Sequence, residues 1–126
     1  MKNQRPVNLE LNTISLPITG IASILHRISA IIIWASLAFF LPTLYISLGS
    51  PEGFNSVMSM VAENFIAQFV IWGFLTAAGY YAMAGMKHII QDMGHFEELE
   101  SGQLISKVVI GLGIVISLLF GAWIWA

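Results

Sequence analysis

The chain has 126 residues, 57% of them hydrophobic and 10% charged, no cysteine, and a formal net charge of -2. A water-soluble domain carries about 25% charged residues, so this chain cannot cover a water-facing surface. The missing cysteines exclude disulfides, thiolate metal sites and a thiol nucleophile, and the weakly acidic balance excludes a nucleic-acid or polybasic lipid-binding role.

Met1–Leu16 is mixed polar and has no apolar core beside Lys2 and Arg5, so it is expected to be an ordered or interfacial arm (residues 1–17) rather than a cleavable signal. Three long apolar segments follow, at roughly 18–48, 65–92 and 105–125. Each supplies the ~20 residues that a helix needs to cross ~30 Å of hydrocarbon. Backbone polar groups in lipid must be satisfied within the segment, so the spans are expected to be helices. Pro42 is a possible kink in the first. Gly49–Ser56 reads as a turn-rich loop and Asp92–Gln103 as an acidic one. The expected fold class is an all-α membrane protein: one anchor domain over residues 1–126, with three transmembrane helices in a larger bundle.

The first span carries Ser23, His26 and Arg27 at spacing i, i+3, i+4, on one helix face, with Ser29 on another. Arg27 alone could be a snorkelling anchor. A guanidinium, an imidazole and a hydroxyl on one stripe exceed what anchoring requires, and ionisable groups inside a span commonly face a bundle interior or a cavity. The second span answers with Tyr81, Gly85, His88 and Asp92, again on one face. Gly85 leaves room for a neighbouring helix or a flat group, and Ala78 and Ala82 widen that strip. Lys87 and Asp92 read as interfacial charges, and Tyr81 as a hydrogen-bonding tyrosine deeper in the membrane. Three helices cannot surround two polar stripes alone, so a second protein is expected to complete the bundle.

The chain resembles the larger, cytochrome b556-type membrane-anchor subunit of succinate dehydrogenase (respiratory complex II), in its proteobacterial form. Arg5-Pro6 in the arm, followed by Ser23, His26, Arg27 and Ser29, matches the family's first motif in full. In "YYAMAGMKHIIQDMG", Gly85, His88, Asp92 and Gly94 match the second motif, while Lys87, Gln91 and Tyr81 depart from it. Tyr81 stands where the family has the histidine that ligates haem b.

The resemblance implies a non-flavin subunit of succinate:quinone oxidoreductase, not catalytic alone, in electron transfer from succinate to ubiquinone. The implied partners are the flavoprotein, the iron–sulphur subunit, a second hydrophobic anchor and membrane lipid. Ser23 and Arg27 are the implied quinone-binding residues. His26, Arg27 and Asp92 are candidates for holding a haem propionate or relaying protons. Tyr81 is the axial-ligand position of a haem b shared with the second anchor, and His88 is a motif residue. A fumarate reductase anchor, or a non-catalytic scaffold or transport module, is the alternative.

The five cations Lys2, Arg5, Arg27, Lys87 and Lys107 fall on one side if the chain crosses three times. The positive-inside rule then places the N-terminus and the second loop in the cytoplasm of a bacterial inner-membrane protein, and the C-terminus in the periplasm, where "AWIWA" suits the aromatic belt. A reporter fused after Ala126 is expected to be periplasmic and one inserted in 92–103 cytoplasmic. A cytoplasmic C-terminus would mean that one span does not cross.

Overall fold

A computed structural model describes residues 15–126; the Arg5-Pro6 pair and most of the expected arm lie outside the described residues. The described chain forms four helices: α1 (Ile18–Gly49), α2 (Pro51–Glu63), α3 (Phe65–Asp92) and α4 (Leu99–Trp125). Helices α1, α3 and α4 are long and apolar enough to cross a membrane. They pack pairwise against one another, and α2 packs mainly on α1. Large apolar side chains point outward along the spans, among them Trp34, Tyr45, Leu48 and Trp123, each at least three-quarters exposed. In water such a surface would drive aggregation; in a bilayer it is the face that lipid wets. The fold is an all-α membrane protein.

Small residues set the helix spacing. Ala22, Ala77, Ala84, Ser106 and Gly113 are buried where the spans meet, as expected when packing rather than water expulsion holds helices together. A Cβ placed on Gly113 would stand 2.8 Å from Tyr80 Cδ2, so α4 yields its side chain to the tyrosine ring of α3. The Tyr80 hydroxyl donates to the Ala22 carbonyl of α1 at 2.8 Å. Lower on α3, Trp72 Nε1 donates to the Ser117 carbonyl at 2.9 Å, and Thr76 Oγ1 to Ser117 Oγ at 3.1 Å. At the far end of α4, Trp125 Nε1 donates to Gln68 Oε1, and Gln68 Nε2 donates to the Val61 and Ala62 carbonyls at the end of α2.

Two sequence expectations change. The segment read as a turn-rich loop contains the first turn of α2. Ser50 is its N-cap, accepting from the Gly53 amide at 2.9 Å, with Pro51 at the start and Glu52 in the first turn. Ser-Pro-Glu is itself a helix-start signal, outweighed in the sequence reading by the neighbouring glycines. Gly53 is required for another reason: an added Cβ would run into the Ile46 carbonyl of α1. The acidic loop is also shorter than its composition suggests, since α4 begins at Leu99, six residues ahead of the apolar run. The turn before it uses Gly94 at φ +90°, a conformation open to glycine, and Gln91 Nε2 donates to the Phe96 carbonyl across it at 3.2 Å. Pro42 lies inside α1, which continues through it as one helix.

If the Tyr80–Gly113–Ala22 contact sets the packing, Gly113→Val should destabilise the native membrane assembly by about 1–3 kcal/mol through overpacking. Tyr80→Phe should cost about 1 kcal/mol or less, the value of one neutral hydrogen bond in a membrane protein. Thermal denaturation in detergent should rank wild type above Tyr80→Phe and Tyr80→Phe above Gly113→Val. The reverse order would show that the hydroxyl, not the close approach, governs the contact.

Candidate functional site

Successive residues on a helix are turned about 100° apart, so Tyr80 and Tyr81 serve different surfaces. Tyr80 is buried among the three spans and Tyr81 is 42% exposed. The bond from Tyr80 to Ala22 fixes α1 beside α3 at this height. One turn along from Ala22, the His26 ring stacks on Tyr81, with centroids 4.5 Å apart and planes 17° apart. On its other side His26 meets His88, at 5.2 Å and 52°. The polar stripes of α1 and α3 therefore converge, with His26 between two residues that lie two turns apart on α3.

His26 Nε2 is buried and finds no hydrogen-bond partner. Buried polar atoms are nearly always paired, and among the described residues none pairs with this nitrogen. Gly85 lies on the same strip of α3, and a Cβ added there would meet nothing within 4 Å. Ser23 is half-buried one turn before His26; Arg27 is exposed on the outward side of α1, and Asp92 is exposed at the end of α3. Ser29 points elsewhere, as its spacing implied: it is buried and donates to the Leu25 carbonyl at 2.7 Å. The structure thus joins His26, Tyr81 and His88 in direct ring contact. Ser23, Arg27 and Gly85 stand along the same outward-facing strip, and Asp92 stays at its edge.

Lys87 corrects the sequence reading. Expected as an interfacial charge, it is only 4% exposed, and its Nζ lies 3.5 Å from Ser106 Oγ at the α3–α4 contact. Ser106 in turn donates to the Gly102 carbonyl at 2.8 Å. The physical reason is register. Lys87 follows Ala84 by three residues, on the buried face of α3, whereas His88 follows Tyr81 and Gly85 on the open one. Tyr80 was missed for a similar reason: in a run of two tyrosines, only the packing of α4 decides which one is buried. Its distance from Ala84, one turn, was the available signal.

The described geometry can now be set beside known proteins. The match to the succinate dehydrogenase/fumarate reductase transmembrane subunit family spans residues 1–120. The chain belongs to that family. It is 29% identical over 125 residues to the succinate dehydrogenase cytochrome b556 subunit of Coxiella burnetii, covering 99% of this chain and 100% of that one. It is 25% identical to the protein of the same name from Paracoccus denitrificans, covering 94% and 90%. To the succinate dehydrogenase cytochrome b560 subunit of Reclinomonas americana it is 30% identical, covering 98% and 88%. These relatives are subunits of an enzyme complex, and the three apolar helices are those of a transmembrane subunit.

Proposed function

We propose that the chain is the larger membrane anchor of a succinate:ubiquinone oxidoreductase, with all 126 residues forming one anchor domain. It holds the flavoprotein and iron–sulphur subunits at the membrane and, with a second hydrophobic anchor, forms the site where ubiquinone is reduced. The observation that carries the reading is the ring contact of His26, from the first motif, with Tyr81 and His88, from the second. Two sequence signatures 55 residues apart, counted from His26 to Tyr81, serve one place. That place faces out of the three-helix unit, so another subunit has to close it.

Ubiquinone takes up two electrons and two protons, and negative charge develops on its carbonyl oxygens as the electrons arrive. The Ser23 hydroxyl donates a hydrogen bond to one carbonyl. One turn along, Arg27 offers a guanidinium that is always protonated, and a charge-assisted bond to the same developing charge stabilises the reduced form more than the quinone. Asp92 at the cytoplasmic end of α3, with His88 and His26 beyond it, gives protons a route inward. The N-terminus and the 92–103 segment face the cytoplasm, where the soluble subunits dock, and the C-terminus faces the periplasm.

Haem b belongs to this reading with altered ligation. The unpartnered His26 Nε2 and the Arg27 guanidinium suit propionates, and the open space at Gly85 suits the edge of a flat macrocycle. Position 81 offers a phenol already stacked on His26, and a neutral phenol is a poor iron ligand. His26 and Arg27 would hold the propionates of such a haem, and the space at Gly85 would take its edge. These residues do not fit an imidazole bond from position 81. When bound, the haem supplies a one-electron reservoir beside the quinone site.

Arg27→Ala should leave the complex assembled and succinate oxidation by a soluble dye intact, while ubiquinone reduction falls about 10- to 100-fold. That range corresponds to the loss of about 1.5–3 kcal/mol for a hydrogen bond to a charged group. Ser23→Ala should cost about fivefold, matching ~1 kcal/mol for a neutral bond. Normal quinone reduction in the Arg27 variant would make that residue a snorkelling anchor.

A reduced-minus-oxidised spectrum of the purified complex should show a broad, high-spin b-type signal. A sharp low-spin band would mean two strong ligands and defeat the altered ligation; no haem absorbance would defeat the presence of haem.

A further inference from the structure

Helix α2 is tied to a membrane span at each end, to α1 through Ser50 alone and to α3 through Asn64 alone. Phe40 of α1 packs against Phe74 of α3, with ring centroids 4.7 Å apart. Gly49, the last residue of α1, lies nine residues beyond that contact, and so does Phe65, the first residue of α3. At 1.5 Å per residue both stand about 14 Å from the contact, at one height. A helix of 13 residues is about 20 Å long. With both ends held at one height, α2 lies across the end of the bundle, parallel to the membrane plane. Trp125 of α4 meets Phe65 there, with centroids 5.9 Å apart. The three spans therefore finish together in an aromatic layer of the kind found at a bilayer interface.

Around its axis, at 100° per residue, α2 divides into three arcs. Gly53, Val57, Met60 and Val61 share one arc and are partly covered, with Gly53 against the Ile46 carbonyl of α1. Phe54, Met58 and Ala62 form the next arc and are exposed. Glu52, Asn55, Ser56, Ser59 and Glu63 fill the third, also exposed. The two apolar arcs adjoin, so α2 has one continuous apolar side and one polar side.

We propose that α2 is an interfacial helix whose partner is the phospholipid leaflet at the Trp125 end of the bundle. Phe54, Met58 and Ala62 enter the acyl chains, and the arc from Glu52 to Glu63 faces water. The two short tethers set the height of the helix, and the three arcs set its rotation. Amphipathic helices that reach a membrane from solution use Lys and Arg to hold anionic headgroups. Residues 49–64 contain neither and carry two glutamates, so here the flanking spans replace headgroup charge as the anchor. The arrangement also sets the depth of the functional strip. His26 is 23 residues from Gly49 along α1, which puts it about 35 Å below α2. With α2 held at one boundary of a hydrocarbon core about 30 Å thick, His26 stands at the other.

The test uses the intact complex in phosphatidylcholine vesicles, with Phe54, Met58, Ser56 and Ser59 replaced in turn by the photoreactive p-benzoylphenylalanine. After illumination, mass spectrometry of the subunit distinguishes lipid adducts from protein cross-links. Lipid adducts at 54 and 58 should exceed those at 56 and 59 by about fivefold or more, as the sidedness of an interfacial helix requires. They should not change when phosphatidylglycerol replaces phosphatidylcholine. Equal lipid adducts at all four positions, cross-links from 54 and 58 to another subunit, or dependence on the anionic lipid would each overturn the proposal. The unsubstituted complex supplies a second measurement if a variant fails to assemble. Hydroxyl radicals generated in the water phase should oxidise Met58 about fivefold more slowly than in the unfolded chain, while a water-soluble carbodiimide couples an amine to Glu52 and Glu63. Oxidation of Met58 at the unfolded rate would place that arc in water and overturn the proposal.

Discussion

The contact that organises this protein is the one Tyr80 makes with the other two spans. Its ring lies over Gly113 of α4, and its hydroxyl is bonded to the Ala22 carbonyl of α1. In hydrocarbon there is little gain from bringing apolar helices together, so close approach and a few buried hydrogen bonds must hold them. Because Tyr80 is committed inward, its neighbour Tyr81 is turned outward and α1 is held at the height that sets His26 against it. One side chain thus fixes both the packing of the unit and the meeting of its two polar stripes.

The same constraint divides the surface into two faces. Where α1, α3 and α4 pack together, the donors of Ser29, Trp72, Thr76 and Tyr80 end on acceptors within the chain. Toward the polar strip, among the described residues, His26 Nε2 is buried without a partner and Gly85 has open space. A polar atom left unpaired in low dielectric is costly, so the second face is the one built for completion by something else. The buried Lys87 is a different matter. It belongs to the α3–α4 contact, where its long stem packs and its amine lies near Ser106.

Much of the fold and of the candidate site was legible in order. Hydropathy alone gave the three spans, because an apolar run of that length has one stable backbone conformation in lipid. Helical spacing alone gave the two faces bearing Ser23, His26 and Arg27 and Tyr81, Gly85 and His88. Less legible was anything resting on short polar signals among glycines. Helix α2 begins at a serine cap and a proline inside a segment whose composition favours turns, and α4 begins inside an acidic stretch that hydropathy assigns to a loop.

What the sequence by itself determined, then, was which three segments are long and apolar enough to cross a membrane and which residues share a helix face, since these depend only on residue type and the 3.6-residue period. What only the tertiary structure decided was which faces touch. The rotation of α1 against α3 turns His26 into the gap between Tyr81 and His88, and the seat offered by Gly113 buries Tyr80 rather than Tyr81. The same packing takes Lys87 inside and leaves Arg27 outside. A helical period states which residues look the same way; the direction in which they look is set by the neighbours that come within van der Waals reach.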